Sequence, residues 1–186
     1  SADWTQRQSL LQRPQALHPN IDPPRAISPA KGAQAPIPDG IRPQLATLVN
    51  TIPKGDEWVH ELKYDGYRML CCIKKGTAQL YSRNGLEWTH KLGALATAAA
   101  QLRVREAWLD GEVVVLLPDG SMSFQALQKF FEGRSEGQLV YYVFDLLYLD
   151  GEDLRQQSLL ERKRRLASLL EGEPEHGMLR YSEHVV

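Results

Sequence analysis

Proline placement constrains this chain before anything else does. Nine of the eleven prolines fall within residues 1–53, and from Pro14 to Pro43 they recur every few positions among Ala, Gly, Asp and Ser. Proline has no backbone N–H to donate and its ring blocks the preceding helical turn, so this stretch supports no regular helix. Residues 12–40 therefore read as an extended linker, and the opening SADWTQRQSLLQ as a short helix or the tail of a preceding module. Residues 1–40 are set apart on this basis, and a packed domain is expected over residues 41–186, from IRPQLATLV onward.

The remaining chain is long enough to bury a core. The charged and hydrophobic fractions of the whole sequence, 24% and 42%, are those of an ordinary globular protein. No apolar run approaches the ~18 residues of a membrane span, and the N-terminus carries no charged-then-apolar signal pattern. The only cysteines, Cys71 and Cys72, are adjacent. On a strand they point to opposite faces and make a poor bridge, which suits a reducing, cytoplasmic setting. The histidines are scattered and give no zinc spacing. A net charge of −1 supplies no global attraction to nucleic acid, so any such binding needs a local patch.

Strand and helix patterns then alternate irregularly. EWVHELKY reads as a strand, and YRMLCCIKKGTAQLYS as two strands around a turn at KKGT. THKLGALATAAAQLR is a helix pattern with Thr89 as its N-cap. AWLDGEVVVLL is a strand ended by the PDG turn, and SFQALQKFFEG a helix with Phe124, Leu127 and Phe131 on one face. QLVYYVFDLLYL is a strongly apolar strand, closed by Asp150-Gly151. SLLERKRRLASLLEG opens with a capping box, Ser158 to Glu161, and GMLRYSEHVV forms a last strand. Hairpins mixed with single crossovers imply an α+β fold of mixed, largely antiparallel sheets with flanking helices. Trp58 and Trp108 are assigned to the core, and the basic run ERKRR (161–165) to a solvated helix face.

The chemistry concentrates in three strands. If residues 57–64 are extended, Glu61, Lys63 and Asp65 share one face, and Gly66 lets the chain turn tightly so that Arg68 returns to the same space. Alone, this is better explained by an exposed hairpin with a weak ion pair. Asp110 and Glu112 share a face of an otherwise apolar strand, and Phe144 and Asp145 lie within another. Buried carboxylates cost several kcal/mol unless paired, hydrogen-bonded or metal-bound. Together these residues describe a pocket with a lysine, carboxylates, arginines and an aromatic ring.

Four segments, KYDG (63–66), SRNG (82–85), LDGEVVV (109–115) and YYVFDLLYLDG (141–151), resemble in order and spacing the nucleotidyltransferase motifs of ATP-dependent DNA ligases. A lone K-x-D-G recurs by chance, whereas four motifs in register across some ninety residues do not. The wording RPQLATLV…GDEWVHELKYDGYR is most similar to the ligase domain of bacterial end-joining ligases, and the resemblance runs from about residue 37 to 186.

The resemblance implies an ATP-grasp-like nucleotidyltransferase fold in which Lys63 attacks the α-phosphate of ATP, giving lysyl-AMP and pyrophosphate. It implies Glu61 as acceptor for the adenine amino group, Phe144 as a stacking ring and Arg68 as a contact near sugar and phosphate. It further implies Glu112 at the ribose or the metal, Arg83 at the 5′-phosphate of a DNA nick, and Asp65 as a metal ligand, a water-positioning group or a turn residue. A nucleophilic amine must be neutral, while Glu61 and Asp65 nearby favour the charged form. Desolvation, Arg68 and a bound Mg²⁺ or Mn²⁺ must outweigh them.

The family continues with an E-G-x-x-x-K motif, a further lysine-bearing strand and an oligonucleotide-binding barrel, none of which appears before Val186. The chain is therefore expected to be the N-terminal part of an adenylation domain, to charge itself with AMP slowly or not at all, and not to seal nicks unaided. Expected partners are nicked duplex DNA, the C-terminal oligonucleotide-binding domain and a DNA-end-binding protein such as Ku, in the bacterial cytoplasm at the nucleoid. An RNA ligase or capping-type nucleotidyltransferase, or a catalytically silent DNA-repair interaction module, are the alternatives.

Overall fold

The structure, a computed structural model, describes residues 32–53, 55, 58–134 and 137–185. The opening dodecapeptide and most of the expected linker lie outside them. The elements in chain order are β1 (Ala33–Gln34), β2 (His60–Glu61), β3 (Tyr67–Lys74), β4 (Thr77–Ser82), α1 (Gly93–Ala100), β5 (Glu106–Leu116), α2 (Phe124–Phe131), β6 (Gln138–Leu149), β7 (Glu152–Asp153), α3 (Leu159–Leu170), β8 (Leu179–Tyr181) and β9 (His184–Val185).

One sheet runs β1-β7-β6-β5-β3-β4, with β8 added to β6, and β2 and β9 form a separate two-stranded ribbon. Every pairing is antiparallel except β6 with β8. This is the mixed, largely antiparallel α+β fold that the irregular element order implied.

Alternation along β3 and β5 sorts the side chains. Met69, Cys71, Ile73, Leu109, Val113 and Val115 pack with Leu95, Leu127 and Leu166 of the three helices in the main core. Leu70 and Trp108 face the other way, in a smaller cluster with Ile37, Leu147 and Tyr148. Cys71 and Cys72 are free and belong to opposite faces, as their adjacency required.

Two irregularities in the β5–β6 ladder interrupt that alternation. Asp110 opposes Asp145 while Gly111 opposes Val143, so Phe144 is an extra residue; likewise Trp108 opposes Tyr148 and Leu109 opposes Leu146, which leaves Leu147 extra. Each extra residue puts two consecutive side chains on one face. Leu147 and Tyr148 thus share the small cluster, and Phe144 and Asp145 share the cavity described below.

Several expectations are corrected. Of the strand expected over 57–64, Glu57 lies outside the described residues and the rest is regular only at His60–Glu61, so Lys63 and Asp65 lie in coil and share no strand face with Glu61. Among the described residues, the strand partner of that segment is the two-residue β9. Trp58 is 46% exposed, whereas Trp108 is buried. Thr89 caps no helix: its Oγ1 accepts from the Leu80 N–H at 2.9 Å, a short 3-10 turn covers Thr89–Lys91, and α1 begins only at Gly93. The last strand is two short ones, β8 and β9. Half of the expected capping box forms: the Glu161 N–H donates to Ser158 Oγ at 3.3 Å, while the Glu161 carboxylate accepts from Arg164 instead. Packed structure also begins before residue 41: β1 pairs with β7, Ile37 is buried, and Trp108 Nε1–H donates to the Pro38 carbonyl at 3.0 Å.

Candidate active site

The site is built where Lys63's coil crosses β5. A Cβ on Gly66 would lie 2.1 Å from the Val113 carbonyl oxygen, and one on Gly111 would lie 2.4 Å from that of Tyr142 and 2.5 Å from the Tyr141 ring. Neither glycine adopts a positive φ. Gly66 is therefore needed for close approach rather than for a tight turn, and Gly111 makes room for Tyr141, whose buried hydroxyl donates to the Met69 carbonyl at 2.9 Å. The glycines of KYDG and LDGE thus bring the coil against the sheet and hold β5 against β6.

A cavity of about 530 Å³ opens there, lined by Glu61, Leu62, Lys63 and Tyr64 from the coil, Arg68 from β3, Glu112 from β5, and Phe144 and Asp145 from β6. Leu159 and Arg162 of α3 close one side, and Gln44, Leu45 and Ala46 another. Five sequence-predicted residues, Glu61, Lys63, Arg68, Glu112 and Phe144, therefore meet around one space. Two do not. Arg83 is exposed in the turn after β4. Asp65 is exposed and points at α2, where the Phe124 N–H donates to its Oδ2 at 3.4 Å.

Two arginines are fixed by carboxylates in two-point contacts, the geometry that suits a planar guanidinium. Arg68 donates from Nε to Asp110 Oδ1 at 3.0 Å and from Nη2 to Oδ2 at 2.7 Å, with its guanidinium carbon 5.0 Å from the Phe144 ring centre. Arg162 donates in the same way to Asp145, at 2.7 and 3.0 Å, and also to the Gln157 carbonyl at 2.6 Å. Asp110 is buried, and that burial raises its carboxyl above the ordinary value despite Arg68. Beyond the cavity wall, Tyr64 stacks on Tyr142 with ring centres 4.3 Å apart.

Glu112 differs from both aspartates. Burial pushes its carboxyl up to about 7, opposed by the Gly66 N–H, Arg68 and Lys63. Among the described residues no three His, Cys, Asp or Glu side chains gather to hold a metal ion. With Asp110 and Asp145 committed to arginines and Glu61 to Lys163, Glu112 is the cavity carboxylate left for a cation. That set fits a Mg²⁺ arriving with phosphate oxygens, which takes one or two carboxylates plus substrate, and does not fit a closed protein cage.

Sequence reasoning missed the α3 contribution. ERKRR is no solvated face: Arg162 reaches Asp145, Arg165 reaches Glu152 at 2.8 Å, and Lys163 is fully buried against Glu61. Only Arg164, paired with Glu161, is a well-exposed member. The signal was present in the spacing, since Leu159, Lys163, Leu166 and Leu170 form a helical stripe that draws the basic residues beside it inward. A second cavity, of about 520 Å³, lies past Tyr142, with Glu171, Glu173, Glu175 and Glu183 around it. Four carboxylates repel a polyphosphate, so the Lys63 cavity is the candidate.

The family model described as the ATP dependent DNA ligase domain matches residues 43–185. The multifunctional non-homologous end joining protein LigD of Pseudomonas aeruginosa is 50% identical over 145 residues, covering 77% of this chain and 17% of that protein. A DNA ligase of Pyrobaculum calidifontis is 37% identical over 126 residues, covering 63% and 22%. Among solved structures, mycobacterial DNA ligase D complexed with ATP and MES aligns with a TM-score of 0.55 at 33% identity, covering 69% of this chain and 40% of that one. The ligase domain of Mycobacterium tuberculosis LigD aligns at 0.54 and 32% identity, covering 68% and 39%. The chain thus spans about a fifth of the curated relatives' length. On the family match, and on the motif residues gathered at the cavity, this chain belongs to the ATP-dependent DNA ligase domain family.

Proposed function

We propose that the chain supplies the Lys63 side of an adenylation site and acts in joining DNA ends. The observation that carries this is the meeting of Lys63 with Arg68, Glu112 and Phe144 around one cavity. Neutral Lys63 Nζ attacks the α-phosphorus of ATP; a P–N bond forms, the P–O bond to pyrophosphate breaks, and the amine proton leaves to solvent. A 5′-phosphate oxygen at a nick then attacks the same phosphorus, returning the electron pair to Lys63. The 3′-hydroxyl finally attacks the 5′-phosphate phosphorus and expels AMP.

Each side chain has a definite task. Phe144 stacks on the base, backed by the Arg68 guanidinium; Glu61 accepts from the adenine amino group; Arg68 faces the sugar and phosphate. Glu112 serves the ribose or the divalent ion, Mg²⁺ or Mn²⁺, which when bound with the triphosphate neutralises phosphate charge. Arg83, exposed on its turn, suits a nick 5′-phosphate. Asp65 lies away from the cavity, so its role is to hold the KYDG coil against the start of α2 rather than to bind metal. The LigD relatives are named for non-homologous end joining, which supports broken or nicked duplex DNA as substrate and a DNA-end-binding protein such as Ku as partner. An oligonucleotide-binding module completing the clamp, the proline-rich residues ahead of β1 as a linker or the tail of a preceding module, and a place at the bacterial nucleoid complete the proposal. Among the described residues no helix is long and apolar enough to cross a membrane.

Incubation with ATP and Mg²⁺ followed by intact-mass measurement tests the reading. A slow AMP-sized increase in the parent, or in a version extended through the oligonucleotide-binding module, is expected, and it should be absent from the matching Lys63→Ala. An increase that survives Lys63→Ala would overturn the assignment of the nucleophile.

A further inference from the structure

Lys163 is buried without any surface left to water, an unusual state for a lysine. Its ammonium pairs with the Glu61 carboxylate, donates to the Ser182 carbonyl at 3.3 Å and lies 5.1 Å from the centre of the Tyr181 ring. One cation therefore ties α3 to β2 and to the residues just before β9. The β2–β9 ribbon is only two residues wide on each strand, His60–Glu61 against His184–Val185, and cannot fix its own position.

A buried ion pair is weak support for stability, because desolvating two charges offsets most of their attraction. Its physical consequence is geometric. Glu61 keeps 29% of its side-chain surface exposed and lines the Lys63 cavity. A carboxylate held by a buried cation on one side and open to the cavity on the other is an acceptor of fixed direction, two residues before Lys63. We propose that Lys163 is the positioning residue of this site: it holds Glu61 as the acceptor that distinguishes a purine bearing an exocyclic amino group from one bearing a carbonyl. The proposal rests on the nucleotide reading given above.

The test compares the affinities of the chain for ATP and for inosine triphosphate, each with Mg²⁺, by calorimetric titration. Lys163→Met keeps the apolar stem without the charge, Lys163→Arg keeps the charge, and the double variant Lys163→Met/Glu61→Gln removes both charges without stranding either. The parent is expected to favour ATP by about tenfold, the worth of one hydrogen bond to a charged acceptor. Lys163→Met should bring the two affinities to within about threefold by weakening ATP alone, Lys163→Arg should restore part of the preference, and the double variant should lose no more than Lys163→Met does. Should Lys163→Met prove unfolded by circular dichroism, the Lys163→Arg and double variants carry the comparison. Equal weakening of both nucleotides, as a purely structural pair would give, or an unchanged preference, overturns the proposal. A parent that binds neither nucleotide overturns the nucleotide reading itself and this inference with it, a failure told apart because it shows in the parent.

Discussion

Arg68, Glu112 and Phe144 stand on three adjacent strands, β3, β5 and β6, whose ladders run for eight to ten residue pairs. Lys63 stands on coil between Glu61 and Gly66, held by a two-residue ribbon, by Lys163 and by the close crossing of Gly66 over Val113. Groups that recognise a ligand gain from rigid support, because every lost degree of freedom is settled before binding. A nucleophile that must first attack one phosphate and then release it to another benefits from a lighter tether. The neighbouring segment agrees with this division: Leu45, Leu48, Val49, Ile52 and Leu62 are all exposed although apolar.

Substitutions on the two sides should therefore fail in different ways. The largest effect on chemistry is expected from Lys63→Ala, with AMP uptake lost by intact mass while unfolding stability stays within about 0.5 kcal/mol, as for an exposed side chain. The largest effect on folding is expected where coil meets strand. Gly66→Ala drives a methyl into the Val113 carbonyl and should cost about 3 kcal/mol in denaturant unfolding, whereas Gly40→Ala, with open space around it, should change nothing or stabilise slightly.

Glu112 sharpens the comparison through pH. Its carboxyl in the folded chain titrates near 7, above the ordinary 4.5, so between those values the folded state binds more protons than the unfolded one. Stability should then fall as pH rises from about 4.5 through about 7, and Glu112→Gln should flatten that slope. Because the group is partly open to solvent, the effect should be about 1–2 kcal/mol, less than the full shift implies, read from denaturant midpoints across the range. A smaller effect is expected at α2, where Ser123 Oγ accepts from the Ala126 N–H; Ser123→Ala should cost about 1 kcal/mol without altering nucleotide affinity.

The same division explains what was legible beforehand. β5 and β6 were readable as strands because long apolar runs bearing isolated acids admit few structures, whereas the roles of Glu112 and Phe144 came from the resemblance to ligase motifs. The coil at 62–66 was not, because the segment has a strand's alternation but, among the described residues, pairs only through His60–Glu61 with the short β9, a tertiary fact absent from local pattern. The extra residues at Phe144 and Leu147 carry no local signature either, so the joint appearance of Phe144 and Asp145 in the cavity had to be seen. Arg162, Lys163 and Arg165 were misassigned for a different reason: four basic residues in five suggest a solvated face, but Asp145, Glu61 and Glu152 pair with cations, and the α3 stripe drew three of them inward.

The central claim is that the tethered lysine and the strand-borne groups face a single nucleotide. Photolabelling with 8-azido-ATP, followed by peptide mapping, tests it most directly. Label displaced by ATP should appear on peptides from residues 41–68 and on those carrying Phe144 or Arg162. Label concentrated on residues 171–183, around the acidic cavity, or labelling that ATP fails to displace, would contradict the account.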